Sequence, residues 1–411
     1  MSLIKFRSIF GSQLLRQFHT CTNATINGES KWAYVELKFA KDTLKLPLVW
    51  LRDHCRSDAC YNWQTNQRKS TAQNLFAHAK VEEQNGISFD EKEQLLRIKW
   101  KDGHISNFKT EELLQWAVQL TDLLPLEYWT RNLRKIPKVS KNDFNFAKFS
   151  LLFAKYGVVT IADVPVSFEA TKELSLSIAP IHDTFFGDFW IFGTDGEEIK
   201  EERDDTAYGN KAIGPHTDGT YLSQTPGIQV FHCLHPADSG GDTVLVDGFA
   251  VADIFRRNFP EYFKILTETP IEHHYLEGID SDGTFKADSS KIQLHSRSIF
   301  EPVIKLYKDR IIQIRFNPYD RAPLNLGTEN DIKRVITFYE AYEAFSQLIH
   351  KSEFALNISL KPGTVIFIDN FRVLHARTAF RGARKMCGCY LSRDGLLAKA
   401  RTVLPSSFKH I

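Results

Sequence analysis

Two short segments far apart in the chain hold residue types that together could bind a redox metal. The first is Gly214-Pro215-His216-Thr217-Asp218-Gly219, an extended His-x-Asp bracketed by turn formers. In a strand-like segment, side chains two residues apart project to the same side, so His216 and Asp218 can meet one ion. The second segment, KPGTVIFIDNFRVLHAR over 361–377, delivers His375. Pro362-Gly363 reads as a turn, Thr364–Ile368 as a buried strand, and Asp369-Asn370 as a second turn. Phe371–Leu374 then carries His375 outward. Two imidazoles and one carboxylate on one face of an octahedral ion leave three positions open, which is the ligand set of non-haem iron(II) oxygenases. 2-Oxoglutarate would chelate through two of those positions and dioxygen would take the third.

A chelated 2-oxoglutarate needs a cation for its distal carboxylate. Arginine suits that task, because its planar fork makes two parallel hydrogen bonds. Arg384 stands nine residues after His375, ahead of the strand pattern Met386–Leu391. Arg377 is nearer in sequence and is a candidate to assist. Gly240-Gly241-Asp242-Thr243 opens another strand pattern, where the Thr243 hydroxyl would contact the cosubstrate. His232, His235, His273 and His274 read as core or surface residues, His232 without a partner.

The elements that must position these residues are mainly strands. From residue 30 to about 126, Trp32–Phe39, Leu44–Leu51 and Leu95–Trp100 are short β-branched and aromatic runs, and Lys101–Gly103 turns into His104–Phe108. A helix follows, with Thr110 as N-cap and Glu111 and Glu112 in its first turn. This predicts a small β-rich N-terminal domain. Residues 127–142 are basic and polar and read as a linker. The larger domain, 143–411, opens with helices at Phe144–Tyr156 and Phe168–Ser177 around a strand at Gly157–Ile161. Strands then dominate at Gly227–Leu234, Thr243–Asp247, Val303–Tyr307, Arg310–Phe316, Thr364–Ile368 and Met386–Leu391. Helices at Val251–Asn258 and Ile332–Ile349 interrupt them. Many antiparallel strands with a few covering helices predict a mainly β domain of the double-stranded β-helix, or jelly-roll, type.

Residues 1–29 differ from the rest. They contain Lys5, Arg7 and Arg16, interleaved apolar residues, and no acidic residue before Glu29. That composition predicts a mitochondrial transit peptide. A formal net charge of +2 gives no electrostatic case for nucleic-acid binding. No run approaches the roughly 20 apolar residues that span a bilayer. The six cysteines form no dense framework, so a reducing compartment is expected.

Taken in order, His216-Thr217-Asp218, GIQVFHCL over 227–234, GGDTVLVDGF over 240–249 and FIDNFRVLH over 367–375 closely resemble the γ-butyrobetaine dioxygenase family, the 2-oxoglutarate, iron(II) hydroxylases of carnitine biosynthesis. The likeness runs from about Trp32 to Arg401. WLRDHCRSDACYN over 50–62 and CGCYLSRD over 387–394 resemble the branch that acts on trimethyllysine. The resemblance implies a double-stranded β-helix core, dependence on iron(II), 2-oxoglutarate and ascorbate, and hydroxylation of an unactivated carbon; the leader composition separately predicts a mitochondrial, matrix location. It implies His216, Asp218 and His375 as iron ligands and Arg384 as the cosubstrate clamp. It also suggests a homodimer.

By the same resemblance, Phe186, Trp190, Tyr208 and Tyr390 form an aromatic cage for a trimethylammonium group. A quaternary ammonium has no N–H to donate, so aromatic faces bind it, at about 0.5–2 kcal/mol each. Asp205 stands where the butyrobetaine branch has an asparagine facing its substrate's carboxylate; an aspartate there would pair with the α-ammonium of trimethyllysine. Asn317 or Arg321 would serve the substrate carboxylate. Relatives hold a structural zinc in the N-terminal domain; Cys55, Cys60 and His104 match three of its ligands, while Ser57 replaces the remaining cysteine, for which His54 is a possible substitute. Hydroxylation of γ-butyrobetaine, or a non-catalytic binding role on the same barrel, are the alternative readings.

Overall fold

The computed structural model describes residues 20–405, apart from 41, 70, 118–125, 134, 195–208, 279–292 and 325–330. It divides into an N-terminal unit ending at Leu124 and a larger unit beginning at Pro125.

The N-terminal unit holds two three-stranded antiparallel sheets. One comprises Cys21–Asn27, Tyr34–Phe39 and Thr43–Pro47; the other comprises Ile87–Asp90, Leu95–Lys99 and Ile105–Lys109. Alternation in Tyr34–Phe39 sends Val35, Leu37 and Phe39 inward, onto a core with Leu51, Leu96, Ile98 and Trp100. Trp100 is fully buried and its indole N–H donates to Ser106 Oγ at 2.8 Å. Two expectations are corrected here. Cys21–Asn27, grouped with the leader by composition, is a strand paired along Tyr34–Phe39. Cys21 is buried, and Gln94 exchanges hydrogen bonds with both its N–H and its carbonyl. The run Leu44–Leu51 is not one strand. Pairing ends at Pro47, which has no N–H for the ladder, and Leu48–Asp53 turns into a short helix.

The larger unit contains the two facing sheets of a double-stranded β-helix. A six-stranded sheet runs Trp190–Thr194, Arg384–Leu391, Ile228–His235, Val365–Asp369, Val158–Ala162, Lys138–Ser140. A four-stranded sheet runs Ile213–His216, Val373–Arg377, Thr243–Asp247, Leu356–Ile358. Every residue of Val365–Asp369 is buried, because the strand is covered on both faces. Val365 and Phe367 meet Phe149, Phe153 and Leu174 of the helices Phe146–Tyr156 and Phe168–Ile178. Ile366 and Ile368 meet Leu245 and Val373 of the second sheet. Burying a phenylalanine in this way stabilises the fold by roughly 1.5–3 kcal/mol. The expected linker is corrected: its end, Lys138–Ser140, pairs in parallel with Val158–Ala162 as the sheet's edge strand. Trp129 is buried, its backbone N–H donating to Asp247.

Candidate active site

His216 ends the strand Ile213–His216, and His375 lies in its neighbour Val373–Arg377, where the two residues are directly paired in the ladder. Their ring centroids are 4.5 Å apart. Asp218 Oδ1 lies 3.2 Å from His216 Nε2, and Oδ2 lies 3.3 Å from His375 Nε2. Two cis donors on an octahedral ion with bonds of about 2.1 Å stand about 3 Å apart, so the set fits a metal without rearrangement. His216 Nδ1 is 2.9 Å from the Gly214 carbonyl, which turns Nε2 toward Asp218. The expectation that His375 points outward is corrected in one respect: its side chain is buried against the sheet interior and faces a cavity, not bulk solvent.

Asp218 is held by its backbone. Buried Asn370 accepts from Asp218 N at 2.8 Å and donates to the carbonyls of Asp218 and Pro226, at 2.9 Å each. Behind His375, Arg372 donates twice to Asp247, at 3.0 and 2.7 Å, in a fully buried pair. Arg372 also donates to the carbonyls of Lys155 and Glu127, so each of its three nitrogens has a partner. Asp247 in turn caps the helix Gly248–Asn258 through Phe249 N and Ala250 N. Neither support was singled out from sequence. Both lie inside the quoted runs GGDTVLVDGF and FIDNFRVLH, where polar residues beside an apolar strand pattern were the one sequence feature that set them apart.

Burial opposes charge throughout the triad. It raises the Asp218 carboxyl, yet the two imidazoles outweigh it and hold the group well below the usual range. Burial lowers His216, but the Asp218 carboxylate leaves it above its ordinary value. His375 is lowered by burial despite Asp218. Asp218 is thus held ionised, as a divalent ion requires of a carboxylate ligand, and an ion bound here would displace the proton that Asp218 favours on His216.

Arg384 and Thr243 line the same cavity as the triad. Arg384 is buried over the face of Phe380, burial lowers its guanidinium, and its Nη1 has no hydrogen-bond partner among the described residues. An unpartnered buried guanidinium N–H is costly unless a ligand completes it. The distal carboxylate of 2-oxoglutarate has the right charge and geometry. Arg377 differs: its Nη2 donates to the carbonyls of Gly209 and Lys211, at 2.6 and 2.9 Å, so it fastens chain.

Phe186, Trp190 and Tyr390 also line this cavity, and the Trp190 and Tyr390 rings lie 4.8 Å apart at 60°. Tyr208 and Asp205 fall outside the described residues. Asn317 lines the cavity too, but its amide donates to Asp320 at 2.6 Å. Arg321 is not among the lining residues and instead packs over Tyr339 and Tyr342. Reasoning from sequence missed Tyr221, Phe231, Tyr319 and Asp320 as lining residues, since no local pattern separates them from core or loop positions. His232 has partners after all: its Nδ1 meets Thr171 Oγ1 at 2.7 Å and its Nε2 accepts from Gly363 N. Burial pushes it down to about 4, so it is a neutral structural histidine.

In the N-terminal unit, Cys55, Cys60 and His104 converge. His104 Nε2 lies 3.3 Å from Cys55 Sγ and 3.5 Å from Cys60 Sγ. Ser57 Oγ joins them at 3.3 Å from both Cys55 Sγ and His104 Nε2. His54 is not a fourth member. It stacks on Trp50, with its nitrogens on the Trp50 carbonyl and Arg68.

The taurine catabolism dioxygenase TauD, TfdA family model matches residues 122–390, and a γ-butyrobetaine hydroxylase-like N-terminal model matches residues 26–113. The chain belongs to this family and is a non-haem iron(II), 2-oxoglutarate-dependent dioxygenase. More particularly, it is 33% identical to the mitochondrial trimethyllysine dioxygenase of Mus musculus, over 98% of this chain and 93% of that one. The Homo sapiens protein of the same name is 34% identical, over 90% of this chain and 85% of its own. A γ-butyrobetaine dioxygenase of Pongo abelii is more distant, at 26% identity over 86% and 90%.

Proposed function

We propose that this enzyme hydroxylates N6,N6,N6-trimethyllysine at C3, with 2-oxoglutarate converted to succinate and carbon dioxide, as the first step of carnitine biosynthesis. The observation that carries the reading is one cavity lined by the triad, by buried Arg384 and by the Trp190–Tyr390 aromatic pair. His216, Asp218 and His375 would hold iron(II), which supplies the activation of dioxygen needed to oxidise an unactivated C–H bond. Of the two oxygen atoms, one ends in the substrate hydroxyl and the other in succinate. Arg384 binds the distal carboxylate of 2-oxoglutarate, with Thr243 beside it. Phe186, Trp190, Tyr390 and Tyr208 enclose the trimethylammonium group, whose positive charge suits aromatic faces. Asp205 disfavours butyrobetaine, which presents a bare carboxylate at that end.

Further features belong to the same reading. Ascorbate would keep the iron reduced. The leader and the mitochondrial names of the relatives support a mitochondrial location, and within it the matrix is our reading. Cys55, Cys60 and His104, with Ser57 at the fourth corner, would hold a structural zinc, and the enzyme would work as a homodimer. The deciding measurement is succinate formation from 2-oxoglutarate with iron(II) and either trimethyllysine or γ-butyrobetaine. Trimethyllysine should stimulate it strongly. Preferential stimulation by butyrobetaine would replace the substrate assignment, and no turnover with any amine would favour a binding role.

A further inference from the structure

The three candidate ligands are held in different ways. His216 and His375 stand in paired strands, whereas Asp218 stands in the turn after Ile213–His216, where no strand ladder fixes it. Its carboxylate oxygens nevertheless lie 3.2 and 3.3 Å from the two imidazoles. Asn370 holds the Asp218 backbone. A second set of bonds comes from the residues that follow the strand Arg310–Ile314.

Thr217 N donates to the Phe316 carbonyl at 2.8 Å, and Phe316 N donates back to Thr217 Oγ1 at 3.1 Å. Beside Phe316, Arg315 is only 3% exposed, and its backbone N–H donates to the Val303 carbonyl at 2.8 Å. Its Nη2 donates to the Thr220 carbonyl at 2.6 Å and to Ser298 Oγ at 3.2 Å, while Nη1 donates to Thr225 Oγ1. One guanidinium therefore ties two points of the stretch that follows Asp218. The Ser296 hydroxyl adds a bond to the Tyr221 carbonyl at 3.0 Å.

This guanidinium makes no ion pair among the described residues, its Nε has no partner among them, and burial lowers it. A buried charge without a close counter-charge costs the fold free energy. What Arg315 supplies is direction, because a planar fork of donors fixes several acceptors in one geometry. It does so without lining the cavity itself.

We infer that Arg315 is a positioning residue of the metal centre: it fixes the turn that carries Asp218 and thereby sets the affinity for iron(II). The inference rests on the reading of His216, Asp218 and His375 as the ligands, and deepens it. A facial triad has no spare ligand, so a turn that drifts takes a third of the protein's hold on the ion with it. Groups that orient ligands without touching the ion typically change metal affinity about 10–100-fold when removed.

The test titrates the full chain, stripped of metal and free of oxygen, with iron(II) alone. Wild type is compared with Arg315→Met, Arg315→Lys, Thr225→Val and Ser298→Ala, and the Tm of each metal-free protein is recorded. Arg315→Met should weaken iron binding about ten- to a hundredfold. Arg315→Lys should recover part of that, because an ammonium can still reach one acceptor of the turn. Thr225→Val removes one acceptor and should weaken iron by less than Arg315→Met. Ser298→Ala leaves the bonds to the turn in place and should bind iron as wild type does. Wild-type iron affinity in a folded Arg315→Met overturns the inference, however far its Tm falls. Should that variant not fold, wild-type affinity in both Arg315→Lys and Thr225→Val overturns it instead. An equal loss of affinity in Ser298→Ala also overturns it, by marking a general packing role. Undiminished iron affinity in His216→Ala would overturn the ligand assignment beneath, a result distinguishable from failure of Arg315 alone.

Discussion

The two three-residue clusters that could hold a metal differ less in ligand number than in what surrounds the ligands. His216 and His375 come from paired strands, Asp218 comes from the turn after the first of them, and all three open onto a cavity carrying an incompletely bonded arginine. Cys55, Cys60 and His104 come from loops, and the Ser57 hydroxyl closes on them at hydrogen-bond distance. Open positions with ligands for a second reactant mark a catalytic centre, whereas a structural zinc wants four ligands of its own, and here three stand beside a hydroxyl. Thiolates also suit zinc, whereas imidazole and carboxylate suit iron.

This comparison predicts unequal consequences of losing one ligand. His216→Ala, Asp218→Ala or His375→Ala should each reduce succinate formation to background while the far-UV CD spectrum and Tm stay near wild type. A facial triad has no spare ligand. Appreciable turnover in any of the three would remove that residue from the ligand set.

The next largest effect should come from Arg384→Ala. Its buried guanidinium has no carboxylate partner among the described residues, so truncation costs the cosubstrate a charge-assisted contact of roughly 1.5–3 kcal/mol. Apparent KM for 2-oxoglutarate should rise about ten- to a hundredfold, with KM for the amine little changed. A shift confined to the amine would reassign Arg384 to the substrate. Arg377→Ala should instead disturb both, since that side chain anchors backbone at Gly209 and Lys211.

How these sites were legible in the sequence follows the same division. The triad was legible because its ligands sit in compact runs; the two histidines lie in strands, whereas Asp218, expected to continue the extended segment after His216, lies in the turn that follows it. Thr243–Asp247 and Ile332–Ile349 form over the expected spans, since each carries a sustained apolar pattern. Lys138–Ser140 was hidden because a three-residue edge strand with one buried side chain, Val139, leaves no alternation to read. Asn370, Arg372 and Asp320 were hidden for another reason. Each is polar and near a turn, where sequence favours a solvated reading, and only tertiary contacts commit it to the site.

The N-terminal unit offers a smaller effect on stability. Deleting residues 1–19 leaves every described element intact, whereas deleting 1–29 removes the strand Cys21–Asn27 and its pairing with Tyr34–Phe39. The shorter deletion should keep Tm and turnover. The longer one exposes one edge of the sheet and removes buried Cys21, and a unit of this size loses about 4–8 °C for each kcal/mol. Equal thermal stability of the two truncations would show that the strand contributes nothing to the fold.

The smallest effect on turnover, and the most direct probe of the comparison, should come from Ser57→Cys. Ser57 Oγ already stands 3.3 Å from both Cys55 Sγ and His104 Nε2, so a thiolate there would complete four soft donors around one ion. Burial raises the Cys60 thiol. Burial pushes Cys55 the same way, but hydrogen bonds from Ser106 and Ser57 outweigh it and leave that thiol below its ordinary value. Binding a cation would favour both thiolates, and a third thiolate would strengthen the ion's hold. The variant should retain zinc against a chelator at least about tenfold better than wild type, with succinate formation unchanged. Cys55→Ala should lose zinc and lower Tm, again without touching the iron site directly. Metal analysis of the purified proteins decides it: zinc absent from both wild type and Ser57→Cys would leave this cluster a hydrogen-bonded group of thiols and imidazole, and confine metal chemistry to the cavity of the larger unit.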